Sequence, residues 1–188
     1  MERRKVFEAV KKAITIVLAA AIIFTLSNPL QVQAAKKVTL KSYTKDYTFS
    51  QIKKASTTLK KGTYNIRIKQ VGGCAYRGYI RFVAPKAGTY SFTFSNCKTD
   101  DKKHILGSAF VQTPDKFGGL AGIINFSTKG GKTNTLWMGS KKDPSYPECI
   151  TTRTGKVKLK KGQNIYLYVS FETREESNKG MSLKLVIK

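Results

Sequence analysis

The sequence has little of what most catalytic and metal sites are made from. Its 188 residues include one histidine, three cysteines and one tryptophan, and 11 acidic side chains stand against 35 lysines and arginines. No glycine-flanked serine elbow of the α/β-hydrolase kind occurs. Gly131-Lys132-Thr133 imitates the end of a phosphate loop, yet the position five residues earlier, where that loop needs glycine, is Phe126. The lone His104 and Cys149 form no recognisable dyad, because "YPECITT" carries no nucleophile signature. Glu172, Glu175 and Glu176 cluster in "FETREESNKG", which reads as a charged loop rather than two positioned carboxyls. No catalysis, metal or cofactor is expected.

Long apolar runs are also missing. The longest, "AITIVLAAAIIFTL" from Ala13 to Leu26, is 14 residues, whereas a bilayer core takes roughly 20. Arg3, Arg4, Lys5, Lys11 and Lys12 precede it, and Val32-Gln33-Ala34 supplies small residues for cleavage, so residues 1–34 read as a signal peptide and 35–188 as one domain. No cysteine stands at the cleavage point for lipid attachment, and "MSLKLVIK" ends the chain without a sorting signal. The expected product is secreted, with no transmembrane segment, released or held non-covalently at the cell wall.

What the sequence has is positive charge and alternation. The formal net charge is +24. The leader accounts for five basic and two acidic residues, leaving about +21 on the mature chain. A field of that sign attracts anionic polymers. The lysines are spread singly or in pairs, as outward positions of strands would place them. No block dedicated to nucleic acid stands out.

Apolar and polar residues alternate strictly in "YNIRIK", "YIRF", "TYSFTFS", "NIYLYVSF" and "SLKLVIK", the mark of half-buried strands. Weaker strands are expected at "VTLKSYTKDYTF", "LGSAFVQT", "GIINF", "TLWMG" and "GKVKL", and no helical stripe is apparent. Residues 117–135 read as a long loop with the one short strand "GIINF" inside it. Eight to ten short strands with nothing to cover a face predict an all-β fold, an antiparallel β-sandwich with jelly-roll or Greek-key connections.

"RFVAPKAGTYSFTFSN" reads as a hairpin, with Pro85 presetting one turn dihedral and Gly88 in a left-handed conformation. In that hairpin's register Cys97 falls beside Cys74, so a Cys74–Cys97 disulfide is expected to clamp its open end. A Cys97–Cys149 bridge and three free thiols are the alternatives.

"IRFVAPKAGTYSFTFS" and "VKLKKGQNIYLYVSF" resemble the paired signatures of bacterial pre-peptidase C-terminal domains and similar jelly-roll modules of secreted clostridial-type proteins. The resemblance implies a non-catalytic β-sandwich, appended in that family to secreted enzymes or surface proteins and linked in some members to polymer or calcium binding. The aspartate-rich strand common in the family is not evident, so calcium does not carry over.

Recognition on a rigid sandwich sits on its long loops. The region 98–148 is therefore the expected ligand edge, with Trp137, Tyr146 and His104 as candidate binding residues and Asp100-Asp101 as a solvated turn. The expected partner is an anionic polymer or glycan of the cell envelope or host matrix. The alternative is an extracellular structural or adhesion protein whose partner is a protein.

Overall fold

Tyr64, Ile66 and Ile68 are buried while Asn65 and Arg67 between them are exposed, and the same rhythm recurs through most of the chain in a computed structural model. It describes residues 34–41, 48–114, 120–147, 149–177 and 179–188, without the side chains of 114 and 120–122. The expected signal peptide lies outside the described residues but for Ala34.

The seven-stranded sheet has the order β1 (Lys36–Thr39), β3 (Gly62–Ile68), β13 (Met181–Ile187), β5 (Gly88–Thr99), β11 (Thr152–Leu159), β8 (Phe126–Thr128), β9 (Gly131–Thr133). Facing it, the six-stranded sheet runs β10 (Thr135–Gly139), β6 (Ile105–Pro114), β12 (Asn164–Thr173), β4 (Ala75–Val83), β2 (Thr57–Leu59), and β7 (Leu120–Ile124) also pairs with β6. This is an all-β sandwich. Two of its pairs, β1 with β3 and β2 with β4, are parallel, so the sheets are mixed rather than wholly antiparallel.

Between the layers lie Tyr64, Ile66, Phe92, Phe94, Leu183 and Leu185 from one sheet and Tyr76, Ile80, Phe82, Leu167, Val169 and Phe171 from the other, all buried in one cluster. Truncating one of these phenylalanines to alanine costs about 3–5 kcal/mol in a packed core. Gly107 is required by this packing: a Cβ there would lie 2.3 Å from the Ser170 carbonyl oxygen.

The expected hairpin does not form. β4 pairs with β12 and β2, while β5 pairs with β13 and β11 in the other sheet, so Pro85–Gly88 carries the chain across the sandwich. The physical reason is face-to-face burial: Phe82 packs edge-on against Tyr90 at 5.0 Å and Phe92 at 5.5 Å between ring centroids, from the opposite layer. The same crossing occurs between β3 and β4, β5 and β6, β11 and β12, and β12 and β13, a jelly-roll winding. With the hairpin goes the register that set Cys74 beside Cys97, and no disulfide joins any of Cys74, Cys97 and Cys149. Gly88 likewise lacks the left-handed φ expected of it, which Gly162 does adopt at 75°.

Two segments depart from their expected form, one loop and one strand. The stretch 117–135 holds β7, β8 and β9, with β8 and β9 forming a hairpin. The expected strand "VTLKSYTKDYTF" is β1 at its start, passes through 42–47, which lie outside the described residues, and ends in a short helix, α1 (Phe49–Ala55). Its capping box is Thr48 with Gln51: the Gln51 N–H donates to Thr48 Oγ1 at 3.4 Å and the Thr48 N–H to Gln51 Oε1 at 2.8 Å. The helix buries Ile52 against Tyr79 and Tyr166 on the outer face of the six-stranded sheet. Among the described residues no helix is long and apolar enough to cross a membrane.

Candidate functional site

The site begins with the alternation of β10. Leu136 and Met138 point into the core, which leaves Trp137 on the outer face of the edge strand, registered with Ser108 of β6. At Gly139 the chain leaves the sheet where only glycine fits: a Cβ would stand 2.8 Å from the Ile105 carbonyl oxygen and 3.0 Å from Cys149 Sγ.

The loop that follows folds back on itself through Asp143. Its Oδ1 accepts the Ser145 N–H at 2.9 Å and its carbonyl accepts the Tyr146 N–H at 3.0 Å, an Asx turn. The Tyr146 ring thereby returns to Trp137, with 6.4 Å between centroids and 24° between planes. Tyr146 is 40% exposed, one of two large apolar side chains so exposed among the described residues.

Asp143 itself is buried, with 5% of its side chain exposed. Its Oδ2 accepts from Arg174 at 2.7 Å and lies 3.1 Å from His104 Nε2. Burial pushes the Asp143 carboxyl upward, but the hydrogen bonds from His104, Ser145 and Arg174, together with the guanidinium charge, outweigh it and hold the group below its ordinary value. Arg174 completes the circuit by lying over the Tyr146 ring, 5.4 Å from its centroid. On the other side of the imidazole, Nδ1 is 3.0 Å from Ser140 Oγ, which also accepts the Ile105 N–H at 3.2 Å.

Trp137, Tyr146 and His104, three residues singled out from the sequence, thus meet in one cluster through Asp143 and Arg174. Asp143 is signalled by "DPSY", a turn sequence; nothing local signals Ser140, at the start of the same loop, or Arg174, which arrives from the loop after β12. Beside Trp137, the next outward row of the same sheet is aromatic: Thr135 registers with Phe110, Phe110 with Tyr168 and Tyr168 with Tyr79. The Phe110–Tyr168 and Tyr79–Tyr168 centroids are 5.0 and 4.9 Å apart.

The other expected features take structural roles. Asp100 pairs with Arg67 and Asp101 accepts from Ser177 Oγ at 2.9 Å, so this turn is tied down rather than merely solvated. Glu175 pairs with Lys103, and Glu172 lies 3.9 Å from Arg77. Among the described residues no group of three or more His, Cys, Asp or Glu is placed to hold a metal ion.

No protein-family model matches the sequence, and no curated protein matches it. Solved structures similar to it include the pre-peptidase C-terminal domain of a collagenase from Bacillus anthracis, at 11% identity and TM-score 0.37 over 71% of this chain and 94% of that one. CorA, a surface-associated copper-binding protein of Methylomicrobium album BG8, matches at 7% and 0.39 over 71% and 99%. The carbohydrate-binding module TmCBM61, solved with β-1,4-galactotriose, matches at 12% and 0.33 over 66% and 68%. Likenesses at this level carry no argument about ligands or residues, and the all-β sandwich stands on the strand pairing described above.

Proposed function

We propose that this chain is an exported, non-catalytic β-sandwich module that binds a glycan or anionic polymer of the cell envelope or host matrix at the edge formed by Trp137 and Tyr146. One observation carries the reading. The exposed Tyr146 ring is held against Trp137 by an Asx turn and by Arg174 anchored on a buried carboxylate, so an aromatic ledge is set in place before any ligand arrives. Sugar rings stack on such faces, and preorganisation lowers the entropic cost of binding.

The test is affinity electrophoresis against a panel of neutral and acidic polysaccharides. Wild type is expected to be retarded by at least one, and Trp137→Ala and Tyr146→Ala to weaken that retention about tenfold, the equivalent of one good aromatic contact. Retention by none, or retention unchanged in both variants, overturns the proposal.

A hydrolase reading has one observation in its favour, the chain Ser140–His104–Asp143. We read it as a structural tie. Asp143 Oδ2 is shared with Arg174, and the Ser140 N–H, which a serine nucleophile would turn toward an oxyanion, is spent on the Ile105 carbonyl at 2.9 Å. An organophosphonate probe is expected to leave Ser140 unlabelled; covalent labelling there would remove "non-catalytic" from the reading.

A further inference from the structure

The outer face of the seven-stranded sheet is dominated by hydroxyls, amides and cations. Outward positions register as Asn65, Lys184, Ser95 and Thr152 in one row, and as Ser91, Lys156, Ser127 and Lys132 in another. Near one edge the sheet opens into a cavity of about 640 Å³, lined by residues from both of its faces. Its cause is a mismatch in strand length. β8 touches β11 only at Ser127 and Lys156, then turns at Lys129-Gly130 into β9, while β11 runs on to Thr152. Residues 152–154 have therefore lost their neighbour on that side.

Three cations, Lys129, Arg153 and Lys156, and the hydroxyl residues Ser127, Thr152 and Thr154 line the gap, with no carboxylate among the described lining residues. The hairpin turn that brings Lys129 there is pinned: Thr128 Oγ1 donates to the Gly131 carbonyl at 2.9 Å and accepts the Gly130 N–H at 3.2 Å. Arg153 is the telling residue. It registers with core-facing Phe94 and continues the inward series Leu159, Val157, Gly155, where alternation calls for an apolar side chain. Its Nε is buried without a hydrogen-bond partner. A buried N–H left without an acceptor is costly unless something brings in acceptor oxygens, and Lys129 and Lys156, both exposed, stand at the same cavity to meet negative charge.

We propose that this cavity is an oxyanion site that receives a sulfate or phosphate substituent of a polymer, Arg153 supplying a planar fork of donors and Lys129 and Lys156 the neutralising charge. The inference deepens the polymer-binding reading and rests on it only for the presence of a polymer. Ile150 joins the two places: it lines the cavity and bridges Met138 of β10, the strand that carries Trp137.

The experiment is fluorescence anisotropy of labelled dextran sulfate, polyphosphate and uncharged dextran, at several salt concentrations. Wild type is expected to bind one or both charged polymers, more weakly as salt rises, and the two arms tell sulfate from phosphate. Arg153→Met and the double variant Lys129→Gln/Lys156→Gln should each weaken binding at least about tenfold, or 1.4 kcal/mol. Lys53→Gln/Lys54→Gln on α1, which removes the same charge as the double variant, should weaken it less than about twofold. Equal losses in the two double variants would show diffuse surface charge and overturn the site, as would no binding of either charged polymer to wild type. If Arg153→Met fails to fold, the double variant alone decides. Tyr146→Ala, run alongside on a neutral polysaccharide, reports on the aromatic ledge separately.

Discussion

Tyr90 closes its own turn onto Lys86: its hydroxyl donates to the Lys86 carbonyl at 2.6 Å and accepts the Lys86 N–H at 3.3 Å. Tyr64 does the same four residues after Lys60, at 2.9 and 3.2 Å. "KKGTY" and "KAGTY" are thus one device used twice, at the entries to β3 and β5. In the third related turn the partner is Gln163, whose Oε1 accepts the Lys160 N–H at 2.9 Å. Tyr64→Phe and Tyr90→Phe are each expected to cost about 1–2 kcal/mol, because each strands two backbone groups for the loss of one oxygen. Urea unfolding measures this; a change below about 0.3 kcal/mol in both would show that the turns hold without their hydroxyls.

The carboxylate of Asp143 makes stability depend on pH. Its folded value lies below its unfolded one, which is near 3.9 for an aspartate. Its contribution is therefore complete above about pH 5 and is lost as pH falls below about 4 through the folded value. Asp100, held down by its hydrogen bond from Arg67, and Glu175, held down by Lys103, add to the same acid slope. Asp143→Asn should flatten the fall in melting temperature between pH 5 and about 2.5 without abolishing it. It should also change the emission of Trp137, the sole tryptophan, since Arg174 and the turn under Tyr146 lose their anchor. A slope identical to wild type would refute the role given to this carboxylate.

Thiol reactivity separates the three cysteines. Cys97 is buried, and burial, with Cys149 nearby, pushes its pKa up to about 12, while Cys149 is also buried and packs against Gly139. Cys74 is half-buried, its Sγ 3.7 Å from the Glu175 carbonyl oxygen. Alkylation of the reduced native protein at pH 8 is expected to modify Cys74 first, and all three only in urea, as read by mass spectrometry. Prompt modification of Cys97 or Cys149 in the native state would contradict the burial described.

Part of the site was readable in advance for a plain reason. An edge tryptophan in "TLWMG" must point outward when Leu136 and Met138 point inward, and "DPSY" announces a turn. His104 and Arg174 gave no such signal as partners of Asp143, because their meeting depends on loops that leave β10, β12 and the end of β5 on the same side of the sandwich. The α1 helix was not read from the sequence, where a strand was expected up to Phe49, because seven residues are too few to show a stripe.

The sequence by itself determined that its strictly alternating segments are strands, since a period of two places Tyr90, Phe92 and Phe94 on one face whatever lies beside them. It also determined the tyrosine turns, whose partners lie four residues apart. Only the tertiary structure decided which strands are neighbours. Alternation marks a dry face without saying whether it is covered by a strand alongside or by a sheet opposite. At Pro85–Gly88 the packing of Phe82 on Tyr90 and Phe92 settles it in favour of the sheet opposite and removes the register that set Cys74 beside Cys97.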